Sequence, residues 1–364
     1  MKKVKVALLF GGRSGEHEVS RNSAYSVAKA LSDKYDVFAI GISKEGEWYG
    51  PVPLEDIKQF VPEHYADKKI TILPHPASGG TIYQLPGLKP VHQAEVFFPV
   101  LHGTFGEDGT IQGLLDLAQV PYVGAGVLSS SVGMDKIFMK KIFAEAGLPQ
   151  VPYLYFLRTL IDNHIDKIIT EIEEKLGYPC FVKPANLGSS VGISKAVNRG
   201  QLEEALKKAA RYDRKVIVEK GLSVRELEVS VLGNDQPRAS LPGEIVPCNE
   251  FYDYRAKYID DRSALYIPAS VPEEAVKRLQ ELAVAAFKAL DCAGLSRVDF
   301  FLTKDTNEIL INEINTMPGF TTISMYPKLW EYSGLPITEL VDELVRLAVE
   351  RFADKKRNIT TYEE

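Results

Sequence analysis

The feature that most restricts the fold is the alternation of short apolar strands with amphipathic helices in the first third of the chain. Residues 4–10 (VKVALLF) form a continuous apolar run that ends in a Gly-Gly turn, and a helical pattern follows over Val19–Leu31. Further apolar runs lie at 35–43 and 95–100. Strands that alternate with helices form mostly parallel sheets, and their functional groups lie at the carboxyl ends of the strands. The sequence therefore predicts an N-terminal α/β unit with a site at that edge.

Composition and charge argue against several classes of protein. The 364 residues carry a net charge of −6 with 45% hydrophobic residues, which is typical of a globular protein and unlike a nucleic-acid-binding surface. No apolar run approaches the roughly 20 residues that span a membrane, and the apolar start is too short for a signal peptide. Cys180, Cys248 and Cys292 form no paired motif, and the histidines lack zinc-binding spacing. We therefore expect a cytoplasmic protein without a nucleic-acid or membrane partner.

The element pattern divides the chain into three predicted domains, at 1–128, 129–220 and 221–364. The first two alternate strands and helices, whereas the third has antiparallel strand patterns and is α+β in character. Pro74–Pro90 is rich in proline and glycine and predicts a surface excursion. Residues 247–263 are polar and aromatic with little periodicity, and a loop of this length is typical of a lid or of a disordered segment.

The polar pattern of the last predicted hairpin suits a metal ion. A turn centred on Asp305 would place Arg297 opposite Glu313. Positions that are opposite or two apart share a face, so one face would carry Arg297, Asp299, Glu313 and Asn315. Two carboxylates and a carboxamide oxygen suit Mg²⁺, and an arginine suits a bound anion. The alternative is an exposed sheet face with solvated charges.

A second pattern suits phosphate. Lys183 ends an apolar strand and is followed by ANLGSSVG, in which glycines let backbone N–H groups approach phosphate oxygens, and Ser189 and Ser190 add donors. An ordinary hairpin turn explains the same letters, and no Walker A ending occurs in the chain. Lys136 at a helix start and Lys257 in the long loop are either further phosphate ligands or surface lysines.

Weaker signals lie at other strand ends. Glu219, Lys220 and Leu222 end a strand at a predicted domain junction, where backbone groups and an acid can bind a purine. Glu16 follows the first strand, and an acid there either favours the helix start or binds an ammonium group. His102 follows another strand, and a lone histidine is more often structural than functional.

Taken together, these segments resemble the D-alanine–D-alanine ligases of the ATP-grasp superfamily. The resemblance covers nearly the whole chain in order and rests on GGRSGEHEVS, HGTFGEDGTIQG, GMDK, VKPANLGSSVG, FYDYRAKY, SRVDFF and NEINTMPGFTTISMYP. It implies a three-domain ATP-grasp fold, α/β with an α+β C-terminal part, in which ATP lies between the central and C-terminal domains. It also implies ATP as co-substrate, two Mg²⁺ or Mn²⁺ ions and a homodimer, and it leaves a K⁺ requirement open.

The family motifs assign roles to residues of this chain by position. The nucleotide would be bound by Lys136, Lys183, Ser189, Ser190, Glu219, Lys220, Leu222, Lys257 and Asn312. Its ribose would be bound by Glu226 or Glu228, of which we favour Glu226. The metal ions would be held by Asp299, Glu313 and Asn315. The first D-alanine would be held by a triad of Glu16, Ser189 and Tyr258. The oxyanion would be stabilised by Arg297 and the N–H of Gly319. The remaining substrate contacts would come from His102, Tyr252, Ser324 and Met325.

The implied reaction joins two D-alanines through a D-alanyl phosphate, releasing ADP and phosphate, for peptidoglycan precursors. Residues 247–263 match the family's ω-loop, which would close over the site and exclude water. D-lactate or D-serine as the second substrate stays an alternative, although the retained Tyr258 favours D-alanine. Three rivals are disfavoured: a glutathione-synthase-like ligase by SGEHEVS and YDYRAKY, an inactive nucleotide-binding regulator by the intact metal residues, and a nicotinamide-dependent dehydrogenase by the missing glycine fingerprint.

Overall fold

The computed structural model of the chain describes residues 2–188, 192–246 and 264–362. Within these ranges the α-helices are α1 (His17–Leu31), α2 (Thr110–Leu117), α3 (Val127–Met134), α4 (Lys136–Glu145), α5 (Arg158–Lys175), α6 (Arg199–Tyr212), α7 (Glu273–Ala289), α8 (Met325–Tyr332) and α9 (Ile337–Lys355). None of these helices is both long and apolar enough to cross a bilayer. The short 3₁₀ helices in the same ranges are Leu54–Gln59, Pro62–Lys68 and Pro76–Ser78.

The strands of the described residues form four sheets. They are β1 (Lys5–Gly11), β2 (Asp36–Ile42), β3 (Trp48–Val52), β4 (Ile70–Ile72), β5 (Thr81–Gln84), β6 (Lys89–Gln93), β7 (Val96–Pro99), β8 (Tyr153–Leu157), β9 (Cys180–Pro184), β10 (Ser194–Ala196), β11 (Lys215–Lys220), β12 (Val224–Gly233), β13 (Arg238–Ala239), β14 (Gly243–Val246), β15 (Ala264–Tyr266), β16 (Gly294–Thr303) and β17 (Ile309–Asn315). The mixture of parallel and antiparallel sheets confirms the predicted α/β class with an α+β C-terminal part.

The first sheet, of order β3-β2-β1-β7, matches the predicted N-terminal α/β arrangement. β1 runs parallel to both β2 and β7, and β3 is an antiparallel edge strand. Residues 6–10 of β1 have no exposed surface, because a central parallel strand is covered on both faces. The carboxyl ends of β1 and β7 therefore open at one edge of the sheet, where the loops 12–16 and 100–109 begin.

The second sheet, of order β10-β9-β11-β8, is antiparallel and is covered on one face by α5 and α6. Val182 and Val218 point into the core with those helices. Since successive side chains of a strand point to opposite faces, Lys183 and Glu219 point to the other face. The same alternation that builds the core thus aims a lysine and a carboxylate away from it.

The third sheet has the order β15-β14-β12-β16-β17, with β13 also paired to β12. α7 packs on it, and Val229 and Val298 lie in the shared core. α4 adds Phe143 to the same core, while α9 adds Leu344 to the core of the first sheet. Helices from one predicted domain thus pack on the sheets of another, and the division at residues 128 and 220 stays a prediction.

The segment predicted as a surface excursion carries regular structure. β4, β5 and β6 form an antiparallel three-stranded sheet between residues 70 and 93. Ile72 and Ile82 are buried in the core with the first sheet. The segment is therefore a small sheet with one side packed on the core. Its proline and glycine residues indicate turns between strands rather than an irregular loop.

The predicted register of the last hairpin is wrong by two residues at its functional end. Arg297 pairs with Asn315, and Asp299 pairs with Glu313. The turn shifts the pairing by one residue, and a β-bulge at Asn312 shifts it by one more, because Phe300 pairs with Ile311. A shift of two positions preserves the face of each side chain, so the predicted clustering of polar groups survives.

Candidate active site

A cleft of about 640 Å³ lies where the open faces of the second and third sheets meet the loops of the first. The first sheet contributes Glu16 and His102 from the loops at its edge. The other predicted site residues that line the cleft are Lys136, Lys183, Glu219, Lys220, Leu222, Glu226, Arg297, Asn312, Glu313, Asn315, Gly319, Ser324 and Met325. Residues distant in sequence thus converge on a space of the size that small ligands occupy in proteins.

Five predicted site residues lie outside the described part of the chain. These are Ser189, Ser190, Tyr252, Lys257 and Tyr258. The proposed ω-loop at 247–263 and the triad of Glu16, Ser189 and Tyr258 therefore stay predictions from the sequence.

Arg297 forms the centre of a charged cluster on the third sheet. Its guanidinium makes two parallel hydrogen bonds to Asp299, from Nε to Oδ1 at 2.7 Å and from Nη2 to Oδ2 at 2.7 Å. Asn315 donates from Nδ2 to Asp299 Oδ2 at 3.0 Å. Paired hydrogen bonds of this kind hold both side chains in one geometry. The Asn315 amide nitrogen is occupied, so its carboxamide oxygen is the donor atom that remains for a cation.

Glu228 is a member of this cluster that sequence reasoning placed only as the second choice for the ribose. Its Oε2 lies 2.9 Å from Arg297 Nε, and the residue is buried on β12 opposite Asp299. Glu226 lies two residues earlier on the same face of β12 and lines the cleft. Both acids line the cleft, but Glu228 also contacts Arg297, so Glu226 stays the predicted ribose ligand.

The acids of the third sheet also enclose a small cavity of about 40 Å³ beside the cleft. Its polar lining comprises Glu226, Glu228, Asp299, Asn312 and Glu313. The bulge at Asn312 explains this lining, because Asn312 and the following Glu313 are both half-buried on the cavity side while Ile311 and Ile314 are buried. A cavity of this volume, lined by carboxylates, has room for a cation with its water.

The donor set fits a metal that takes few protein ligands. Across the residues that the structure describes, no group of three or more His, Cys, Asp or Glu side chains is arranged to hold a metal by itself. Mg²⁺ is usually bound through one or two carboxylates plus phosphate oxygens and water. Asp299 and Glu313 with the Asn315 oxygen match that pattern, and they do not match a zinc or calcium cage.

Two predicted phosphate ligands, Lys136 and Lys183, line the cleft. Lys136 Nζ donates to the carbonyl of Leu187 at 2.8 Å and lies 3.6 Å from Glu313 Oε2. Lys183 Nζ pairs with Glu219 Oε2. Both lysines are therefore held by acceptors at the edge of the cleft, within reach of an anion that enters it.

A polar anchor fixes the start of the glycine-rich loop beside Lys136. Asp135 caps α4 by accepting hydrogen bonds from the N–H groups of Ile137 and Phe138, and its other oxygen pairs with Lys215. Asn186 is held in place because its backbone N–H and its side-chain amide both donate to Asp213, at 2.8 and 2.9 Å. The N-cap and the root of the loop are thus tied to the same sheet edge.

The Glu16 carboxylate is enclosed by two glycines. A methyl group at Gly103 would lie 2.8 Å from Glu16 Oε2, and one at Gly188 would lie 2.7 Å from the same atom. Gly103 also has a φ of +73°, which side chains rarely adopt. Glycine at these positions lets a carboxylate from the first loop meet the glycine-rich loop of the second sheet.

His102 is more deeply integrated than the sequence suggested. Its Nδ1 lies 3.0 Å from the Met317 carbonyl, and its Nε2 lies 3.1 Å from Ser23 Oγ. Ser23 Oγ in turn accepts from the N–H of Phe320 at 3.1 Å. Burial lowers the pKa of His102, so the neutral ring donates to Met317 and accepts from Ser23. His102 thus also holds the loop that carries Gly319, and its predicted substrate contact stays a prediction.

Glu107 is a site residue that the sequence reading missed. Its Oε1 accepts from the N–H of Gly103 at 2.8 Å, and the backbone of Met317 also bonds to it. Burial and the neighbouring Glu16 raise the pKa of Glu107 to about 8. Its place five residues after His102, in a loop rich in glycine, was the available signal. Glu107 and Glu16 thus both lie beside Gly103.

This raised pKa predicts a pH dependence of stability. Between the unfolded pKa near 4.5 and the folded pKa near 8 the folded protein binds more protons, so its stability falls as pH rises through that window. Because one pKa unit corresponds to about 1.4 kcal/mol, we expect Glu107→Gln to become more stable relative to the unmodified chain by about 4 kcal/mol as the pH rises from 5 to 8.5. Urea unfolding of both proteins at the two pH values measures this difference. A difference that does not change with pH would refute a protonated Glu107.

The comparisons with known proteins agree along the length of the chain. The family models described as the D-ala D-ala ligase N-terminus and C-terminus match residues 5–125 and 142–346. A D-alanine--D-alanine ligase of Heliobacterium modesticaldum is 53% identical over 362 residues, covering 99% of this chain and 98% of that protein. One from Acetivibrio thermocellus is 53% identical over 376 residues, covering 100% and 99%.

Solved structures give the same picture of the fold. The D-alanine-D-alanine ligase from Coxiella burnetii is 36% identical with a TM-score of 0.85, covering 98% of this chain and 97% of that one. The VanG D-Ala:D-Ser ligase from Enterococcus faecalis is 37% identical with a TM-score of 0.85, covering 95% and 100%. The similarity includes every segment that contributes to the cleft, and it includes relatives whose names differ in the second substrate.

Proposed function

The chain belongs to the D-alanine–D-alanine ligase family, and from that premise we propose how its cleft joins two D-alanines at the expense of ATP. The observation that carries the proposal is the convergence of Lys136, Lys183, Arg297 and Glu313 on a single cleft, with Asp299 paired to Arg297 and lining the small cavity beside it. Three cations and two acids together fit a phosphorylated intermediate better than any uncharged substrate. The product is a precursor of peptidoglycan.

We assign the nucleotide to the side of the cleft between the second and third sheets. Glu219, with the backbone of Lys220 and Leu222, receives the purine, and Glu226 receives the ribose. Lys136 and Lys183 hold the phosphates, with the N–H groups of the glycine-rich loop. Two positions support this order. Glu219 lies near the end of β11, at the proposed purine end of the cleft, and Lys136 lies beside Glu313, at the proposed metal and phosphate end.

Two Mg²⁺ ions would be held by Asp299, Glu313 and Asn315. A bound Mg²⁺ neutralises charge on phosphate oxygens and so assists phosphoryl transfer. In the described geometry Lys136 lies beside Glu313 and Arg297 beside Asp299, so each acid already has a cation for a neighbour.

The first step activates a carboxylate. The first D-alanine, held through its ammonium group by Glu16, attacks the γ-phosphorus of ATP with a carboxylate oxygen. The bond from that phosphorus to the bridging oxygen breaks, and ADP leaves with the electron pair. A carboxylate is a poor acyl donor because its leaving group would be oxide, whereas the resulting acyl phosphate can release phosphate.

The second step forms the peptide bond. The uncharged amine of the second D-alanine attacks the carbonyl carbon, and Arg297 and the N–H of Gly319 stabilise the oxyanion. The carbon–oxygen bond to phosphate then breaks, so the phosphate carries away one oxygen of the first carboxylate and takes up the proton that the amine loses. Ser324 and Met325 lie beside Gly319 and are suited to fix the second carboxylate. Ser324 Oγ accepts from the N–H of Thr321 at 3.0 Å, which keeps this turn closed.

D-serine is a second candidate for the amine, because the VanG D-Ala:D-Ser ligase has the same fold at 37% identity. The relatives named above at 53% identity carry the D-alanine--D-alanine name, which favours D-alanine. A panel of D-alanine, D-serine, D-lactate and the L-amino acids, tested for phosphate release with ATP and Mg²⁺, separates these substrates. We expect D-alanine alone to give full turnover, and phosphate release that ignores D-alanine would refute the assignment.

The acyl phosphate has its own isotopic test. D-alanine labelled with ¹⁸O in the carboxylate should transfer one labelled oxygen to each phosphate released, as read by mass spectrometry. Release of unlabelled phosphate would show that ATP is hydrolysed without carboxylate attack. The same assay run without D-alanine gives the background rate.

We also propose that the enzyme acts in the cytoplasm as a homodimer. ATP is available there, and the buried thiols of Cys180 and Cys292 are free, as is usual in a reducing compartment. Sedimentation equilibrium tests the dimer, and a monomeric mass at micromolar concentration would contradict it.

A further inference from the structure

Glu219 is bound by two lysines instead of one. Its Oε2 pairs with Lys183, and its Oε1 lies 3.0 Å from Nζ of Lys140. Lys140 was not among the predicted site residues, although it lies one helical turn after Lys136 on α4 and therefore on the same helix face. This buried carboxylate, with one negative charge, therefore has two positively charged neighbours, one more than an ion pair contains.

The two lysines differ in their access to the cleft. Lys183 lines the cleft, and about 11% of its side chain is exposed. Lys140 is not part of the cleft wall, and only 1% of its side chain is exposed. A nucleotide that enters the cleft can therefore draw the Lys183 ammonium toward its phosphates, whereas Lys140 stays beside Glu219.

We propose that Lys140 is a positioning residue that serves as the fixed counter-charge of Glu219, so that Lys183 can transfer from Glu219 to the phosphates of ATP. This inference rests on the proposed function, which places Glu219 at the purine and Lys183 at the phosphates. When Lys183 leaves, Glu219 Oε2 becomes the acceptor for the purine amino group, and Lys140 keeps the buried carboxylate compensated.

The need for a second cation follows from burial. A buried carboxylate that loses its only cation either stays charged at a large free-energy cost or takes up a proton. A protonated Glu219 would lose its negative charge and much of its strength as an acceptor for the amino group. With Lys140 in place, the transfer of Lys183 leaves one cation and one anion, which is a balanced buried pair.

The charges around Glu219 agree with this division of roles. Burial alone would raise the pKa of Glu219, but the charges of Lys140 and Lys183 outweigh burial and lower the pKa to about 2. Among the residues that the structure describes, the other ionisable groups that interact with these three side chains are Tyr153, Glu226 and Glu313. None of them is a cation, so Lys140 alone among these groups can replace Lys183 as the partner of Glu219.

The test compares Lys140→Met with Lys141→Met, whose lysine is exposed on the next position of α4 and contacts Tyr155. ADP binding is measured by calorimetry without D-alanine, in two buffers of different ionisation enthalpy. We expect Lys140→Met to weaken ADP binding at least about tenfold, because the buried carboxylate is left uncompensated. We also expect Glu219 to take up a proton when ADP binds to Lys140→Met. Glu219 should take up no proton when ADP binds to the unmodified protein or to Lys141→Met.

Kinetics give a second readout that a purely structural role would not move. In Lys140→Met the KM for ATP should rise about tenfold or more, while kcat at saturating ATP and the KM for D-alanine should change little, because the metal and substrate groups are untouched. Unchanged ADP affinity without proton uptake would overturn the proposal. A fall in kcat together with a similar rise in both KM values would also overturn the proposal, since that pattern indicates that the substitution disturbs the whole site.

A double-mutant cycle keeps the proposal testable if Lys140→Met folds poorly. Glu219→Gln has no carboxylate to compensate, so adding Lys140→Met to it should leave ADP affinity unchanged. A further loss of affinity in the double variant would show that Lys140 acts on something other than Glu219 and would refute the inference. If the unmodified protein fails to bind ADP at all, the proposed function fails instead, and the two failures are thus distinguishable.

Discussion

Replacing Glu313 with glutamine is expected to lower kcat by about three orders of magnitude or more while leaving the fold intact. The substitution keeps the shape of the side chain and removes its charge. Glu313 pairs across the ladder with Asp299 and lies 3.6 Å from Lys136 Nζ, so it is the acid that joins the proposed metal site to a proposed phosphate ligand. Steady-state turnover with ATP, Mg²⁺ and D-alanine measures the loss.

Glu308→Gln is the matched control for this experiment. Glu308 begins the return of the same hairpin, its side chain is exposed, and it does not line the cleft. We expect this variant to retain full activity. Both variants should unfold at the temperature of the unmodified protein within a few degrees, and a fully active Glu313→Gln would remove the metal assignment.

Replacing Arg297 with lysine is expected to lower kcat by about 10²–10³. Lysine keeps the positive charge but cannot make the two parallel hydrogen bonds that Arg297 makes to Asp299 at 2.7 Å. It would also leave Glu228 without the 2.9 Å contact that now holds it. The loss should appear in kcat more than in the KM for ATP, because the proposed oxyanion forms only during the reaction.

Arg346→Lys is the corresponding control. Arg346 makes a paired contact with Glu343 on the exposed face of α9, at a distance from the cleft. The same chemical change there should leave turnover unchanged. A variant of Arg297 that retained kcat and lost only ATP affinity would contradict the oxyanion role and would indicate a role in nucleotide binding.

The alternation of the last hairpin was predictable, but its register was not. Polar residues two apart on a strand share a face, and a register shift by an even number of residues does not change that face. The clustering of Arg297, Asp299 and Glu313 therefore followed from the sequence. The bulge shows in the sequence only as two adjacent polar residues, Asn312 and Glu313. Together with the one-residue shift at the turn, it puts Asp299 rather than Arg297 opposite Glu313.

One physical reason explains why Lys140 was missed and why Glu228 was only the second choice for the ribose. Lys140 and Glu228 each lie at a regular spacing from a predicted residue, one helical turn after Lys136 and two positions after Glu226. That spacing shows that they share a face with the site. It does not show that Lys140 meets Glu219, because that contact joins residues 79 positions apart and depends on how α4 packs against the second sheet.

The packing of helices between sheets also lay beyond the sequence. The amphipathic pattern of α9 predicts a helix with one buried face, but nothing in the pattern says which sheet receives it. In the structure Leu344 packs in the core of the first sheet, alongside Phe320 of the loop that follows β17. That arrangement brings the loop with Gly319 to the edge where His102 and Glu107 hold Met317.

The most direct test of the account is a crystal structure with ADP and Mn²⁺, measured for anomalous scattering. We predict manganese peaks about 2.1 Å from the carboxylate oxygens of Asp299 and Glu313, with the diphosphate beside them and the purine at Glu219. Nucleotide in the cleft with manganese elsewhere, or with these two acids turned away from any metal, would contradict it.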